Sequence, residues 1–112
     1  MSTPDMAAYL LERIAEDEQV ARDAVAHRPG PWYPSDHSDA AVVHVTRWHP
    51  DRVLTECTAK RRVVEHCLEV LTHHVYGDWG ATDMAEEVLQ RLVQAHAARP
   101  DFPPEWLPEV AW

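Results

Sequence analysis

Apolar residues recur at helical spacing throughout the stretch from Pro50 to Val75. At 100° per residue they cover an arc of roughly 220°, whereas a helix that rests on one neighbour needs only slightly more than about 100°. The pattern predicts a central helix over 50–75 that is covered by two or more other elements. Leu68 is expected to be deeply buried, while Lys60 within the arc and Arg61 at its edge need a polar partner or a path to water. The arc contains Val53, Leu54, Cys57, Val64, Cys67, Leu68, Leu71 and Val75, and is extended by Ala59, Val63 and Val70.

A second amphipathic pattern predicts a helix over 4–27, preceded by Ser and Thr as candidate caps and opened by Pro and Asp. Asp17 interrupts the apolar side of this helix, and Glu18 lies at the edge of that side. Two explanations remain. Either the helix bends or frays there and both carboxylates meet water, or they meet Lys60 and Arg61 of the central helix.

Three further segments complete the predicted fold. A short helix is favoured over 39–47, with a strand as the alternative, because no second strand of comparable quality is present to pair with it. A clean amphipathic stripe predicts a helix over 83–98. The tail over 99–112 contains four prolines and is expected to lie over the bundle as an extended strap. The sequence thus predicts an all-α fold, a small three- to four-helix bundle forming a single domain over 1–112.

The composition limits the classes of partner and the cellular compartment that we expect for this protein. The 112 residues carry a net charge of −9, which argues against a nucleic-acid partner because such binding relies on clustered Lys and Arg. No apolar run approaches the ~20 residues that span a bilayer, and no secretory signal pattern opens the chain. Cys57 and Cys67 are ten residues apart, about 15 Å along one helix, too far for a disulfide. We therefore expect free buried thiols in a cytoplasmic protein with no membrane contact.

The chemistry that the sequence offers is limited. Its three glycines form no phosphate-binding loop, dinucleotide fingerprint or nucleophile elbow, so no cofactor and no catalytic residue are predicted. His66, Glu69 and His73 lie on the polar strip of the central helix, but the two histidines are about 10.5 Å apart along its axis and cannot bind one ion together. Solvated histidines are the favoured interpretation. The alternative is a metal site completed by another helix, such as one bearing His27, His44 or His96.

Three segments together suggest a family resemblance: AEDEQVARDAV, then PGPW, then HVTRWHPDRVLTECTAKRRVVEHC. They resemble a family of small uncharacterised proteins from actinobacteria and their phages, and the resemblance covers roughly residues 8–67. In that family a β-hairpin usually follows the Trp. Only about fifteen residues separate Trp32 from Trp48 here, so the hairpin is shortened or lost, and the closing motif takes the form RPDFPPEW. The resemblance implies a fold and an origin but no activity.

Two function classes follow from these observations. The favoured hypothesis is a non-enzymatic protein-interaction or regulatory module, and a homodimer is compatible with it. The alternative is a small metal-dependent or acid–base enzyme that uses the carboxylates of the first helix and the histidines of the central one. A deep polar pocket joining the carboxylates to a histidine would favour the enzyme, whereas an exposed apolar patch around a tryptophan would favour binding. The candidate residues for the interaction surface or polar network are Asp17, Glu18, Lys60, Arg61, Trp48, Trp79 and Trp112.

Overall fold

The structure is a computed structural model that describes residues 3–27, 40, 43–44, 47–73 and 79–107. Within these residues the chain forms α1 (Thr3–His27), α2 (Pro50–Thr72) and α3 (Trp79–Gln94), followed by one turn of 3₁₀ helix at Pro104–Trp106. The same residues contain no strand. The predicted all-α helical bundle is therefore confirmed.

The predicted helix over 39–47 is described only in part. Ala40, Val43, His44 and Arg47 have helical backbone, and the amide of Trp48 donates a hydrogen bond of 3.0 Å to the carbonyl of His44, as in an α-helical turn. The remaining residues of that segment lie outside the described part of the chain, as do residues 28–38 before it.

The chain consists of two compact units, and α1 and α2 each contribute residues to both. The terminal unit consists of Met1–Glu12 and Arg62–Trp112, and the middle unit of Arg13–Arg61.

The core of the terminal unit is built around α3. Leu89 and Val93 on α3 and Val64 on α2 are its largest fully buried side chains. Leu89 and Val93 follow Ala85 at intervals of four residues, so the three residues form one stripe along the helix. Removing a side chain of the size of Leu or Val from water stabilises the folded state by roughly 1.5–3 kcal/mol. The other buried apolar residues among those described in this unit are Met6, Ala7, Leu10, Cys67, Ala85, Phe102 and Trp106.

Helix α3 spans 79–94, whereas the sequence pattern predicted 83–98. After Gln94 the hydrogen bonding tightens, since the amides of Ala95, His96 and Ala97 donate to carbonyls three residues earlier, at 3.3, 2.9 and 3.2 Å. Such 3₁₀ bonding is common at helix ends because it satisfies carbonyls that have no α-helical partner. The apolar pattern continues through this turn, and over so short a span it does not distinguish the two kinds of helix.

The C-terminal segment packs through its aromatic side chains. The rings of Phe102 and Trp106 lie edge-to-face at 5.8 Å, and Tyr9 of α1 lies edge-to-face with Trp106 at 5.3 Å and with Phe102 at 6.1 Å. Gln94 fixes the same segment by donating a 2.7 Å hydrogen bond to the carbonyl of Trp106. The strap predicted over 99–112 therefore contains a 3₁₀ turn within its described part, which ends at Leu107.

The apolar arc of α2 is less deeply buried than the sequence predicted. Leu68 is half-buried where deep burial was expected, Val63 is 45% exposed, and Ala59 is exposed. An apolar arc marks the residues that can be buried, but a chain of this size has too much surface for all of them to be covered. The wide arc therefore overestimated how much of the helix is enclosed.

Candidate interaction surface

Trp48 borders an apolar groove in the middle unit. The groove has a volume of about 270 Å³, and both Trp48, at 51%, and Val20, at 69%, expose much of their surface. Among the described residues of its lining, Asp17 is the charged one. The lining residues are Asp17, Val20, Ala21 and Ala24 from α1, and Trp48, Pro50 and Val53 around the start of α2.

The start of α2 fixes the position of Trp48. The carbonyl of His49 accepts hydrogen bonds from the amides of Arg52 and Val53, at 2.9 and 3.1 Å, and its imidazole Nδ1 accepts one from the amide of Asp51, at 3.2 Å. These contacts satisfy amides that a helix start otherwise leaves without partners. Pro50 needs no such partner because it lacks an amide hydrogen.

A cation lies over the ring of the exposed tryptophan. The guanidinium carbon of Arg52 lies 5.6 Å from the centroid of the Trp48 ring, within the range of a cation–π interaction. The Nε of Arg52 also donates to Oε1 of Glu56 at 3.1 Å, which holds the guanidinium in place. Trp48 and Arg52 are four residues apart, a spacing that is visible in the sequence, although Arg52 was not among the predicted interaction residues.

Glu18 and Arg61 form the polar network of the middle unit. The Nη2 of Arg61 donates a hydrogen bond to Oε1 of Glu18, and this ion pair joins α1 to α2. The Glu18 side chain is only 10% exposed and that of Arg61 33% exposed. Arg22 approaches the other carboxylate oxygen of Glu18 at 3.9 Å. A carboxylate at this depth needs such partners, because burying an unpaired charge is costly.

The structure reverses the expected orientation of the two acidic residues. Glu18 points inward and Asp17 is exposed, whereas the sequence pattern put Asp17 within the apolar side and Glu18 at its edge. Glu18 lies four residues after the buried Ile14 and three before the buried Ala21, so it continues their stripe. A helical wheel drawn with an ideal period does not decide which edge of an arc meets the neighbouring helix.

The other sequence-predicted residues are placed as follows. Lys60 is exposed. Trp79 is the first residue of α3, but its side chain is not described, and Trp112 lies outside the described residues. His66, Glu69 and His73 are all exposed. Among the described side chains, no three His, Cys, Asp or Glu residues come together in a way that could hold a metal ion.

The two cysteines are free and buried. Burial raises the pKa of the Cys57 thiol, and the neighbouring carboxylates of Asp17 and Glu18 raise it further, against the opposing effect of Lys60 and Arg61. Burial also raises the pKa of Cys67. A nucleophilic cysteine needs a lowered pKa, so the surroundings of both thiols fit a structural role.

These features define a small all-α protein with an exposed apolar groove beside Trp48 and an ion pair between α1 and α2. The chain belongs to a family of unknown function, DUF6221, whose sequence model matches residues 3–108. No curated protein and no solved structure matches the chain. Among the described residues, no helix is long and apolar enough to cross a membrane.

Proposed function

We propose that this protein is a non-enzymatic interaction module and that the groove beside Trp48 is its docking surface. The observation that supports the proposal is a half-exposed tryptophan at the edge of an apolar groove, held by Arg52. Tryptophan is enriched among the residues that carry most of the energy of protein interfaces, and an orientation fixed before binding lowers the entropy cost of association.

The charge of the groove indicates the chemistry of the partner. Asp17 is exposed and is the charged residue in the described part of the lining. The whole chain carries a net charge of −9, which attracts a basic partner at long range. The partner is therefore a protein segment with an apolar side chain that enters the groove and a Lys or Arg beside it that meets Asp17. A cytoplasmic location agrees with the two free thiols, and an actinobacterial or phage origin is what the sequence resemblance implies.

The enzyme hypothesis receives less support. The groove that contains Asp17 is apolar, and none of the described residues that line it is a histidine. Glu18 is already engaged by Arg61 and Arg22. The described part of the chain thus provides no polar pocket that joins these carboxylates to a histidine.

Affinity capture with matched variants tests the proposal. The immobilised baits are the wild type, Trp48→Ala, Asp17→Lys and two controls, and the lysate comes from the source organism. Leu107→Ala is the apolar control because Leu107 is 50% exposed in the other unit, and Glu65→Lys is the charge control because Glu65 is also exposed there. Loss of a central interface tryptophan typically costs at least 2 kcal/mol, so recovery of the partner should fall by roughly thirtyfold with Trp48→Ala.

The charge variants separate a specific contact from a general effect of net charge. Asp17→Lys should reduce recovery, while Glu65→Lys, with the same change in net charge, should leave it within about twofold of the wild type. Equal recovery by all baits, or the absence of any protein whose recovery depends on Trp48, would contradict the proposal.

A further inference from the structure

A second apolar groove lies between α2 and α3 in the terminal unit. Its volume is about 510 Å³, within the ~300–1,000 Å³ typical of small-molecule sites. Val63 on one side and Met84 on the other are 45% and 68% exposed, so the groove is accessible from solvent. Its apolar lining consists of Val63, Cys67 and Val70 from α2, and Ala81, Met84, Ala85 and Val88 from α3.

The polar groups of this groove are basic. Among the described residues that line it, Arg62 and His66 of α2 are the polar ones and none is a carboxylate. Arg62 is exposed and forms no ion pair within the described part of the chain. On a chain with a net charge of −9, an apolar groove whose described polar residues are basic is a local reversal of charge. The groove beside Trp48 has the opposite character, since the charged residue in the described part of its lining is Asp17.

We propose that the groove between α2 and α3 binds a small amphiphilic carboxylate, with the apolar body along the valines and Met84 and the carboxylate at Arg62. The planar guanidinium matches a carboxylate geometrically and can donate two parallel hydrogen bonds to it. Met84 can adapt to ligands of different shape because its side chain is unbranched and flexible. A second copy of the chain is a weaker candidate, because each copy carries the same large negative charge. The proposal does not depend on the function proposed for the Trp48 groove.

Titration with decanoate, followed by NMR of the side-chain methyl groups, tests the proposal. The ligand is kept below its micelle-forming concentration. The methyl groups of Val63, Val70 and Val88 should shift together with one saturating Kd, while those of Val20 and Val53 at the other groove should not shift. Each methylene that the groove buries should tighten the Kd by roughly two- to fourfold, so hexanoate, octanoate and decanoate should bind in increasing order of affinity.

Charge and shape controls isolate the two parts of the site. Decyltrimethylammonium has the same chain and the opposite charge, and should shift these methyl groups much less. Arg62→Gln should weaken decanoate binding by roughly three- to fivefold, whereas Lys60→Gln, the same charge change at an exposed residue that does not line the groove, should not. Ala81→Phe should fill the groove and abolish binding. Circular dichroism of each variant checks that it is folded, and Arg62→Gln changes only an exposed side chain.

Several outcomes would overturn the proposal: a Kd above about 1 mM, equal shifts at both grooves, equal binding of the cationic amphiphile, or equal effects of Arg62→Gln and Lys60→Gln. Methyl shifts that follow protein concentration without ligand, together with dimer formation in sedimentation, would assign the groove to a second copy of the chain instead.

Discussion

Arg61 on α2 donates a hydrogen bond to Glu18 on α1, although the two residues are 43 positions apart in the chain. Glu18 occupies a place in the buried stripe of α1 that an apolar residue would ordinarily fill, between Ile14 and Ala21. In the middle unit, α1 and α2 are therefore held together partly by the attraction between these two opposite charges. Such a pair gives orientation to a small core, but each member becomes destabilising when the other is removed.

We predict that Glu18→Gln and Arg61→Met each destabilise the protein and that their effects are coupled. Each single change leaves the remaining partner with an unmet charge or hydrogen-bonding group, which should cost about 1–3 kcal/mol. In the double variant neither residue retains an unpaired charge, so the coupling free energy should be about 1 kcal/mol or more. Urea unfolding of the wild type, both single variants and the double variant measures it.

The neighbouring acidic residue supplies the control for this cycle. Asp17 is exposed, so Asp17→Asn combined with Arg61→Met should be additive within about 0.5 kcal/mol. Stronger coupling of Arg61 to Asp17 than to Glu18 would show that Asp17 is the carboxylate that pairs with Arg61 in solution.

The burial of Leu89 predicts a large cost for its truncation. Leu89 is fully buried in the terminal unit, so Leu89→Ala should lower the free energy of unfolding by about 2–5 kcal/mol. Leu68→Ala, at a half-buried position, should cost less. Leu107→Ala, at a residue that is 50% exposed, should change stability by no more than about 0.5 kcal/mol. Equal costs at the three positions would contradict this description of the core.

Tyr9 contributes to the attachment of the C-terminal segment in two separable ways. Its hydroxyl donates a 3.0 Å hydrogen bond to Oδ1 of Asp101, and its ring contacts Phe102 and Trp106. Tyr9→Phe removes only the hydrogen bond and should cost about 0.5–1.5 kcal/mol. Tyr9→Ala also removes the ring contacts and should cost at least 2 kcal/mol, an order-of-magnitude value for losing a large aromatic side chain.

Limited proteolysis distinguishes a local effect of Tyr9 from a general one. Cleavage after the exposed Glu105 by a glutamate-specific protease should be faster in Tyr9→Ala than in a variant of equal global stability that is altered in the middle unit. Equal cleavage rates in these two variants would mean that Tyr9 does not hold the C-terminal segment.

The raised pKa values of the two thiols predict a loss of stability at alkaline pH. Burial favours the neutral form of Cys57 and Cys67 in the folded state, so the unfolded chain releases these protons at lower pH than the folded chain does. The contribution of these neutral thiols to stability is complete below the thiol pKa of the unfolded chain, about 8.5. It is lost progressively as the pH rises above that value. Urea midpoints measured from pH 7 to pH 10 should fall less steeply in Cys57→Ala/Cys67→Ala than in the wild type. Identical slopes would contradict the raised pKa values.

The helical character of the chain was accessible from sequence because it depends on local periodicity. The apolar stripe of the segment after Gly80 predicted α3, and Ala85 and Leu89 within that stripe are buried. The spacing of Cys57 and Cys67 excluded a disulfide between them, and both are free. These properties follow from the rise and turn of a single helix, so no knowledge of its neighbours is needed.

Other features were decided only by the tertiary structure. The sequence identified an acidic break in α1, but packing of α1 against α2 in the middle unit selected Glu18 over Asp17 for the contact with Arg61. Tyr9 meets Asp101 across 92 positions, and nothing local to either residue indicates the other. Leu68 remains half-buried because a helix's own pattern states which residues can be covered, whereas covering them depends on remote segments of the chain. The two grooves also depend on the tertiary structure. Each is lined by residues from two different helices, so the pattern of one helix does not reveal it.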